Sequence, residues 1–543
     1  MGVTNLGHQA DPVLTRLVDE DKVPWYKKRN LRLLYLMLYP TCLGIEITSG
    51  YDSQLINGAQ FIPSWNKYFG SLTIDGSGKE NYQVTGPLLG ILSCAYNLGS
   101  IMAVPIVPII SEKFGRRKSI AFGSSCMIVG AFLQGFSQNA AMYVVARMLL
   151  GYGIIPAVVS ASAMLGELSH PKERAVMTSL FNASWFVGSL IAAGIVVRTS
   201  QIDNSWGWRI PSCLQAVPSL IQIIIIFLIP ESPRWLITKD RREEAYEILV
   251  KYHSEGDRDS LFAKAEMAQI EATMKLEMES GKQSWIGMFS EKGMRRRTFI
   301  AMAMGVFTQF SGNTLIAFYL SKILAMIGYT DSWTKTRINL GNSCWSFLNG
   351  TIIALVAPRF PRRKMFLLCA SSMLICYIAW TISMKYAMTA YNTNVPNPAA
   401  AISVLVFIFL YSPCYNIGNN ALVYTYLVEL FPFHQRSHGI SIEQLLSRIA
   451  GTFSTFVNPI GMDDIGWKYL IVFNIAICLE LLVIYFFYPE TQGRTLEELA
   501  FLFEDREFED KATHMVEKAI NSDAMDAVLD TDVQHIEVPR KEA

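Results

Sequence analysis

LLYLMLYPTCLGIEITSGYDSQLING, residues 33–58, decides what kind of chain this is. From Leu33 to Ile45 it holds no charged residue; then Glu46 and Asp52 arrive before the apolar character fades. An apolar run of this kind crosses a hydrocarbon core of roughly 30 Å as a helix. An ionisable side chain at that depth costs roughly 2.5–3.5 kcal/mol on insertion scales, so it normally faces a protein interior and serves transport or proton relay. By position alone, Asp52 either caps a helix end or has such a role.

The rest of the chain repeats the pattern. Of its 543 residues 51% are hydrophobic and 17% charged, with a mean hydropathy of +0.26, against about 25% charged in soluble chains. Apolar windows fall at 33–57, 86–110, 119–136, 141–165, 176–198 and 210–230, and resume at 298–320, 338–357, 365–385, 400–427, 438–460 and 467–488. Only helices or closed barrels satisfy the backbone in lipid, and apolar runs of about twenty residues select helices. The expectation is an all-α membrane protein of twelve transmembrane helices in two six-helix, pseudo-symmetric bundles. Its parts are an N-terminal segment (1–32), a first bundle (33–230), a linker with short amphipathic helices (231–297), a second bundle (298–488) and a tail (489–543).

Several function classes are disfavoured. A net charge of +1 gives no bulk attraction to nucleic acid. The nine cysteines lie scattered through the spans without a Cys-x-x-Cys and read as small packing residues. No Gly-x-x-x-x-Gly-Lys loop points to ATP-driven pumping. No nucleophile–base pair or metal set suggests an enzyme or a cofactor; His434 and His438 flank a surface turn and do not read as ligands. The polar N-terminus has no signal-peptide pattern, so the first span is expected to act as the targeting signal.

Basic residues set an orientation. Lys27, Lys28, Arg29 and Arg32 precede span one, Lys113, Arg116, Arg117 and Lys118 lie between spans two and three, and Arg359, Arg362, Arg363 and Lys364 lie between eight and nine. The intervening loops are poor in them. By the positive-inside rule, both termini and the linker face the cytoplasm.

The halves echo one another. Phe114-Gly115-Arg116-Arg117-Lys118 corresponds to Phe360-Pro361-Arg362-Arg363-Lys364. Glu167…Arg174 after span four corresponds to Glu429…Arg436 after span ten, each pair seven residues apart with a proline between. Such forks and carboxylates can pair across the two halves when the inner side is shut and part when it opens. Exposed pairs are worth only about 0–1 kcal/mol each, as a gate that cycles requires.

These residues resemble the sugar porter family of the major facilitator superfamily, from about Gly44 to Glu498. Further motifs are Gly50-Tyr51-Asp52 with Gly58, Arg147 with Gly151, Gly207-Trp208-Arg209-Ile210-Pro211, Pro230-Glu231-Ser232-Pro233-Arg234 and Pro489-Glu490-Thr491-Gln492-Gly493-Arg494. Gln309-Phe310-Ser311-Gly312-Asn313, Asn458-Pro459-Ile460-Gly461 and Gly466-Trp467-Lys468-Tyr469 look like the fungal lactose-permease-like branch. The resemblance implies two bundles rocking around a central cavity.

It also implies roles. Asp52 beside Arg147 would couple transport to protons. Asn182, Thr308, Gln309, Asn313, Thr314 and Tyr424 would bind substrate; Gln309, Asn313, Ile316 and Leu320 share one helix face by their 3–4 spacing. Arg116, Arg117, Glu167, Arg174, Glu231, Arg234, Arg362, Arg363, Glu429, Arg436, Glu490 and Arg494 would form the cytoplasmic gate. Asn182, Thr308, Thr314 and Tyr424 depart from the family's usual Gln, Gln, Asn and Trp, which argues against a simple hexose. Pro358 and Pro361 replace an Asp and a Gly in the second gate motif. The implied function is proton-coupled uptake of a sugar or polyol at the plasma membrane, with the small-molecule substrate, the proton and the bilayer as its partners. The rivals are carriage of a non-sugar metabolite, including export of a secondary metabolite, and a non-transporting sugar sensor.

Overall fold

The structure, a computed structural model, describes residues 23–74, 80–280, 287–290, 292–329, 331–356, 360–393, 397–431 and 435–491. Their spans run in chain order. The first comprises Arg29–Leu38 and Gly44–Ala59, joined by a π turn, Tyr39–Leu43. Gly86–Ala103 with Val107–Phe114, Arg116–Gly135, Ala140–Leu168, Arg174–Thr199, and Trp206–Leu214 with Ala216–Ile226 complete the first half. The second half has Lys292–Phe310 with Asn313–Met326, Ser332–Val356, Arg362–Asn392, Pro398–Tyr415 with Val423–Leu430, Arg436–Ile465 and Tyr469–Phe487.

By length and composition, eight helical stretches among the described residues can cross a membrane. One of them, His438–Phe487, is two spans reversing at Gly466, whose φ of 57° few other residues adopt. Arg116–Gly135 and Ser332–Val356 carry more polar side chains and fall short of that apolar measure, and Ala183–Thr199 of span five is apolar but shorter. Breaks occur where the sequence removes a hydrogen bond: Pro40 in the π turn of span one, Pro105 in the 3-10 turn Val104–Ile106, and Pro413 just before the π turn Asn416–Asn420 of span ten. A short hairpin, Ser71–Ile74 on Glu80–Gln83, follows span one; the hydropathy pattern does not announce it.

Small residues set the helix crossings. A Cβ on Gly50 would run into the Trp185 carbonyl, and one on Gly188 into the Ile47 carbonyl, so spans one and five touch backbone to backbone. Gly99 and Gly151 do the same for spans two and four, against the Met148 and Tyr96 carbonyls. In lipid, where no hydrophobic drive pulls helices together, such close approach is the main source of packing energy.

The apolar core is distributed unevenly between the ends. At the end away from the basic loops, one cluster crosses both halves, with Ile62, Trp65 and Tyr143 from the first and Leu320, Leu324 and Trp380 from the second. At the basic end there are two separate clusters. One, with Leu31, Leu165 and Ile226, stays within the first half; the other, with Met304, Phe366 and Leu430, stays within the second. The halves are therefore joined at one end and parted at the other.

The linker helices Pro233–Thr238, Arg242–His253 and Leu261–Ser280 dock on the first half. His253 is bonded to Glu266 at 2.6 Å and to the Leu168 carbonyl at 3.2 Å. Glu255 accepts from the backbone N–H of Asn30 and Leu31 at 3.0 and 3.1 Å, tying the linker to the start of span one.

Candidate functional site

At the basic end, the repeated motifs form the same construction twice. Glu231 lies against the N-terminus of Arg116–Gly135 and accepts from the backbone N–H of Arg116 at 3.1 Å and of Arg117 at 3.2 Å. Glu490 does the same for Arg362–Asn392, at 2.9 and 3.2 Å. A carboxylate at a helix N-terminus meets both orphan N–H groups and the positive end of the dipole. Burial pushes the Glu231 carboxyl up, opposed by those N–H groups, by that of Ser232, and by Arg117. Arg117 reaches the Phe227 carbonyl at 2.6 Å and Arg363 the Tyr485 carbonyl at 2.7 Å, capping spans six and twelve. Arg116 pairs with Glu167 at 3.4 Å, and Arg362 with Glu429 at 3.0 Å.

With the basic end parted, these pairs close within each half; the pairing across the halves expected for the shut state belongs to the other conformation. Glu231 and Glu490 follow the last span of their bundle, Glu167 and Glu429 end its fourth, and each meets the third helix of its own bundle. Arg234 is half-buried in the first turn of Pro233–Thr238. The side chains of Arg174 and Arg436, and all of Arg494, lie outside the described residues.

Between the halves lies a cavity of about 380 Å³, within the roughly 300–1,000 Å³ of small-molecule sites. Its walls are amides, hydroxyls and rings: Gln54, Asn97, Ser189 and Trp185 from the first half, and Gln309, Asn313, Tyr415 and Asn416 from the second. Glu46 faces it from span one, and Glu443 and Arg448 from span eleven. Trp185 meets Phe186 edge-on at 5.4 Å.

Span seven breaks in the middle of this wall. Gly312 takes φ 93°, which ends Lys292–Phe310 and starts Asn313–Met326. The carbonyls of Thr308, Ser311 and Gly312 accept instead from the hydroxyls of Tyr415, Tyr411 and Tyr377 at 3.3, 3.1 and 3.1 Å. Gln309, Asn313 and Ile316 reach the cavity, but a second kink at Tyr319, φ −131° and ψ 22°, takes Leu320 off that face and into the core shared by the halves. Gln309 also donates to Ser447 at 3.0 Å, and the Thr314 hydroxyl shares a 2.7 Å bond with that of Ser454, so both join helices as well as line the cavity. Thr308 lines it with its hydroxyl donating back to the Gly305 carbonyl. The side chains of Asn182 and Tyr424 lie outside the described residues.

At the closed end, Asn339 of the second half accepts from Gln54 at 2.8 Å and from Asn57 at 3.1 Å. Gln60 donates to the Phe318 carbonyl at 2.6 Å, and Ser321 to the Gln60 carbonyl at 3.2 Å. Ser332 donates to the Phe61 carbonyl. The sequence reading passed over these amides; four such side chains at membrane depth were the available signal.

Asp52 and Arg147 come together. Arg147 Nη1 stands 3.2 Å from Asp52 Oδ1, and the two side chains are 0% and 2% exposed. Gln215, which sequence reasoning missed, donates to the same oxygen at 2.7 Å. Asp52 Oδ2 and the Arg147 Nε and Nη2 atoms have no hydrogen-bond partner among the described residues. The guanidinium lies over the Tyr96 ring at 5.7 Å, and Tyr96 lines the cavity. One ring thus separates a buried, half-satisfied ion pair from the central space.

Two helical bundles closed at one end around a polar cavity define a membrane carrier of the alternating-access kind. The family described as "Sugar (and other) transporter" matches residues 37–503, and the chain belongs to it. It is 27% identical over 476 residues to the hexose transporter HXT13 of Saccharomyces cerevisiae, covering 87% of this chain and 83% of that one. It is 26% identical over 440 residues to the MFS-type transporter oryC of Aspergillus oryzae, covering 79% and 80%. Among solved structures, the inward open conformation of the E. coli xylose transporter XylE superposes with a TM-score of 0.69 at 22% identity, covering 87% of this chain and 100% of that one. The protein is a multi-pass membrane transporter of the major facilitator fold, not an enzyme.

Proposed function

We propose that this transporter takes up a sugar or related polyol together with a proton across the plasma membrane. The observation that carries the reading is the adjacency of two things: a cavity walled by amides, hydroxyls and the Trp185 ring, and the buried Asp52–Arg147 pair behind Tyr96. Amides and hydroxyls bridge sugar hydroxyls, and an aromatic ring covers the apolar face of a pyranose. Asn313, Gln309, Thr308 and Thr314 on span seven, with Asn182 and Tyr424, are the residues assigned to substrate.

The pair supplies the coupling. While Arg147 holds Asp52, the cation favours the charged carboxylate; drawing Arg147 away leaves a desolvated acid that takes up a proton. Rocking of the halves, felt through Tyr96, is the motion that separates them. With the basic loops assigned to the cytoplasm, the parted end faces inward and the conformation is the one that releases substrate. A radiolabelled uptake screen over sugars and polyols in a transporter-null host, with and without a proton uncoupler, tests this. Uptake insensitive to the uncoupler would remove the proton, and no uptake of any panel member would remove the substrate class.

A second reading is carriage of a non-sugar metabolite. It is favoured by the charged groups Glu46, Glu443 and Arg448 on the cavity wall, which a neutral sugar does not require. Competition of the observed uptake by charged metabolites separates the two.

A further inference from the structure

Glu480 lies in the middle of Tyr469–Phe487, 3% exposed. Its Oε1 accepts from Asn419 Nδ2 at 2.9 Å, and its Oε2 has no hydrogen-bond partner among the described residues. Among the described residues no cation bears on it. The titratable groups around it are Cys369 of span nine, Tyr415 of span ten and Tyr488 at the end of its own helix. Glu443 of span eleven acts on the same two tyrosines, and the buried Arg297 of span seven makes no ion pair with it. An ionised carboxylate held by one neutral amide falls far short of the hydrogen bonds and opposite charge that burial demands.

A neutral acid in the same place has a different need, because its proton must be donated. The partner in reach is again Asn419, now through Oδ1. One amide therefore serves both states, and turning over lets it meet the carboxylate with Nδ2 and the acid's O–H with Oδ1. Asn419 sits on the π turn Asn416–Asn420 and forms part of the cavity wall. Single π turns inside helices are frequent at functional sites. The neighbouring amides hold the turn in place: Asn416 donates to Asn349 at 2.5 Å and Asn420 to Asn416 at 3.0 Å. The Asn419 side chain can thus rotate while its backbone stays fixed.

We propose that Glu480 and Asn419 form a second, proton-dependent positioning switch on the substrate cavity. With Glu480 ionised, Nδ2 turns to the carboxylate and the cavity wall presents the Oδ1 acceptor. When Glu480 binds one proton, its O–H donates to Oδ1 and the wall presents the Nδ2 donor. The switch rests on the reading of the protein as a proton-coupled carrier, but it works independently of Asp52, which lies in the other half.

The test uses the full-length protein in lipid nanodiscs. Infrared difference spectra across the pH range that the protein survives should show a carboxylic-acid carbonyl band that titrates. The band should persist in Asp52→Asn, vanish in Glu480→Gln and shift in Asn419→Ala. In uptake assays with the best substrate from the screen, Glu480→Gln should change KM by about fivefold, the worth of one hydrogen bond. In the Asp52→Asn background, assayed by substrate exchange, it should also make KM independent of pH, while Glu480→Asp keeps the pH dependence. A wild-type spectrum without a titrating band, a band unaffected by Glu480→Gln, or a Glu480→Gln KM profile superimposable on the wild type would overturn the switch. If no panel member is carried, the substrate reading fails while the infrared result still decides the fate of Glu480.

Discussion

Asn339→Ala should unlatch the closed end. Asn339 Oδ1 is the single acceptor for Gln54 and Asn57, which approach from the opposite half at 2.8 and 3.1 Å. Two neutral hydrogen bonds are worth about 1 kcal/mol each net. Against this, Asn339 Nδ2 and Asn57 Oδ1 are buried without partners, so the latch is already imperfect and truncation removes one of those orphans. The net loss to this conformation is about 1–2 kcal/mol, and because water satisfies all three amides once that end opens, the opposite conformation loses nothing. The ratio of the two states shifts by roughly five- to thirty-fold. Ala59, 3% exposed beside the core that joins the halves, reports the opening when replaced by Cys, in a background where the exposed Cys344 and Cys478 are Ser. Labelling by a membrane-impermeant maleimide should accelerate in Asn339→Ala by that factor. An unchanged labelling rate would refute the assignment of this triad as the latch.

Three further outcomes follow from the geometry. Arg147→Ala leaves Asp52 buried without its cation and should destabilise the fold by about 3–5 kcal/mol. Adding Asp52→Asn should recover part of that in a thermal melt, and Asp52→Asn alone should abolish proton-driven accumulation while permitting exchange of substrate. Glu231→Ala and Glu490→Ala, each losing charge-assisted bonds to a helix N-terminus, should each cost about 1.5–3 kcal/mol. Because they act in separate halves, the double variant should be additive within about 0.5 kcal/mol, and a larger deviation in the melts would reveal pairing across the halves. Gly50→Ala drives a methyl into the Trp185 carbonyl and should cost about 1–3 kcal/mol as overpacking, seen as reduced folded protein in size-exclusion profiles of the membrane extract.

The fold was legible because hydropathy and the doubled motifs report on single segments. Phe114–Lys118 and Phe360–Lys364 announce a repeat, and the two helix caps that they build agree atom for atom. What those motifs touch was not legible. A Glu seven residues from an Arg says nothing about which bundle supplies the partner, and Glu231 turns out to address backbone N–H groups. The span-seven face failed at Leu320 for a local reason: the backbone leaves helical φ/ψ at Tyr319 (φ −131°, ψ 22°), and a 3–4 pattern is not carried through that kink. Asp52 was found because a charge at membrane depth stands out, and Arg147 through the family resemblance. Gln215, Asn339 and Asn419 were missed because neutral amides do not, although each completes a polar contact that a charge or a second amide begins.

The two ends of the molecule obey opposite rules, and this bears on how it cycles. At the basic end, the strong interactions are internal to each bundle and repeat with the pseudo-symmetry. They stiffen each half as a body and resist no relative motion. At the closed end, nothing repeats: Asn339 with Gln54 and Asn57, Gln60 with Phe318, Ser321 with Gln60, and Ser332 with Phe61 all cross the halves. Each of these is a neutral hydrogen bond that water replaces on opening, so the polar part of the barrier stays within a few kcal/mol, and among the described residues no charged pair crosses the halves there. The symmetry fails in the transport machinery too. The first half holds a carboxylate with its cation, Asp52 with Arg147, and the second a carboxylate with an amide alone, Glu480 with Asn419. Identical bundles could rock but would have no reason to load a proton on one particular conformation. On the proposed coupling, unequal partners for these two buried acids give each conformation its own preferred charge, which is what would turn rocking into coupled transport.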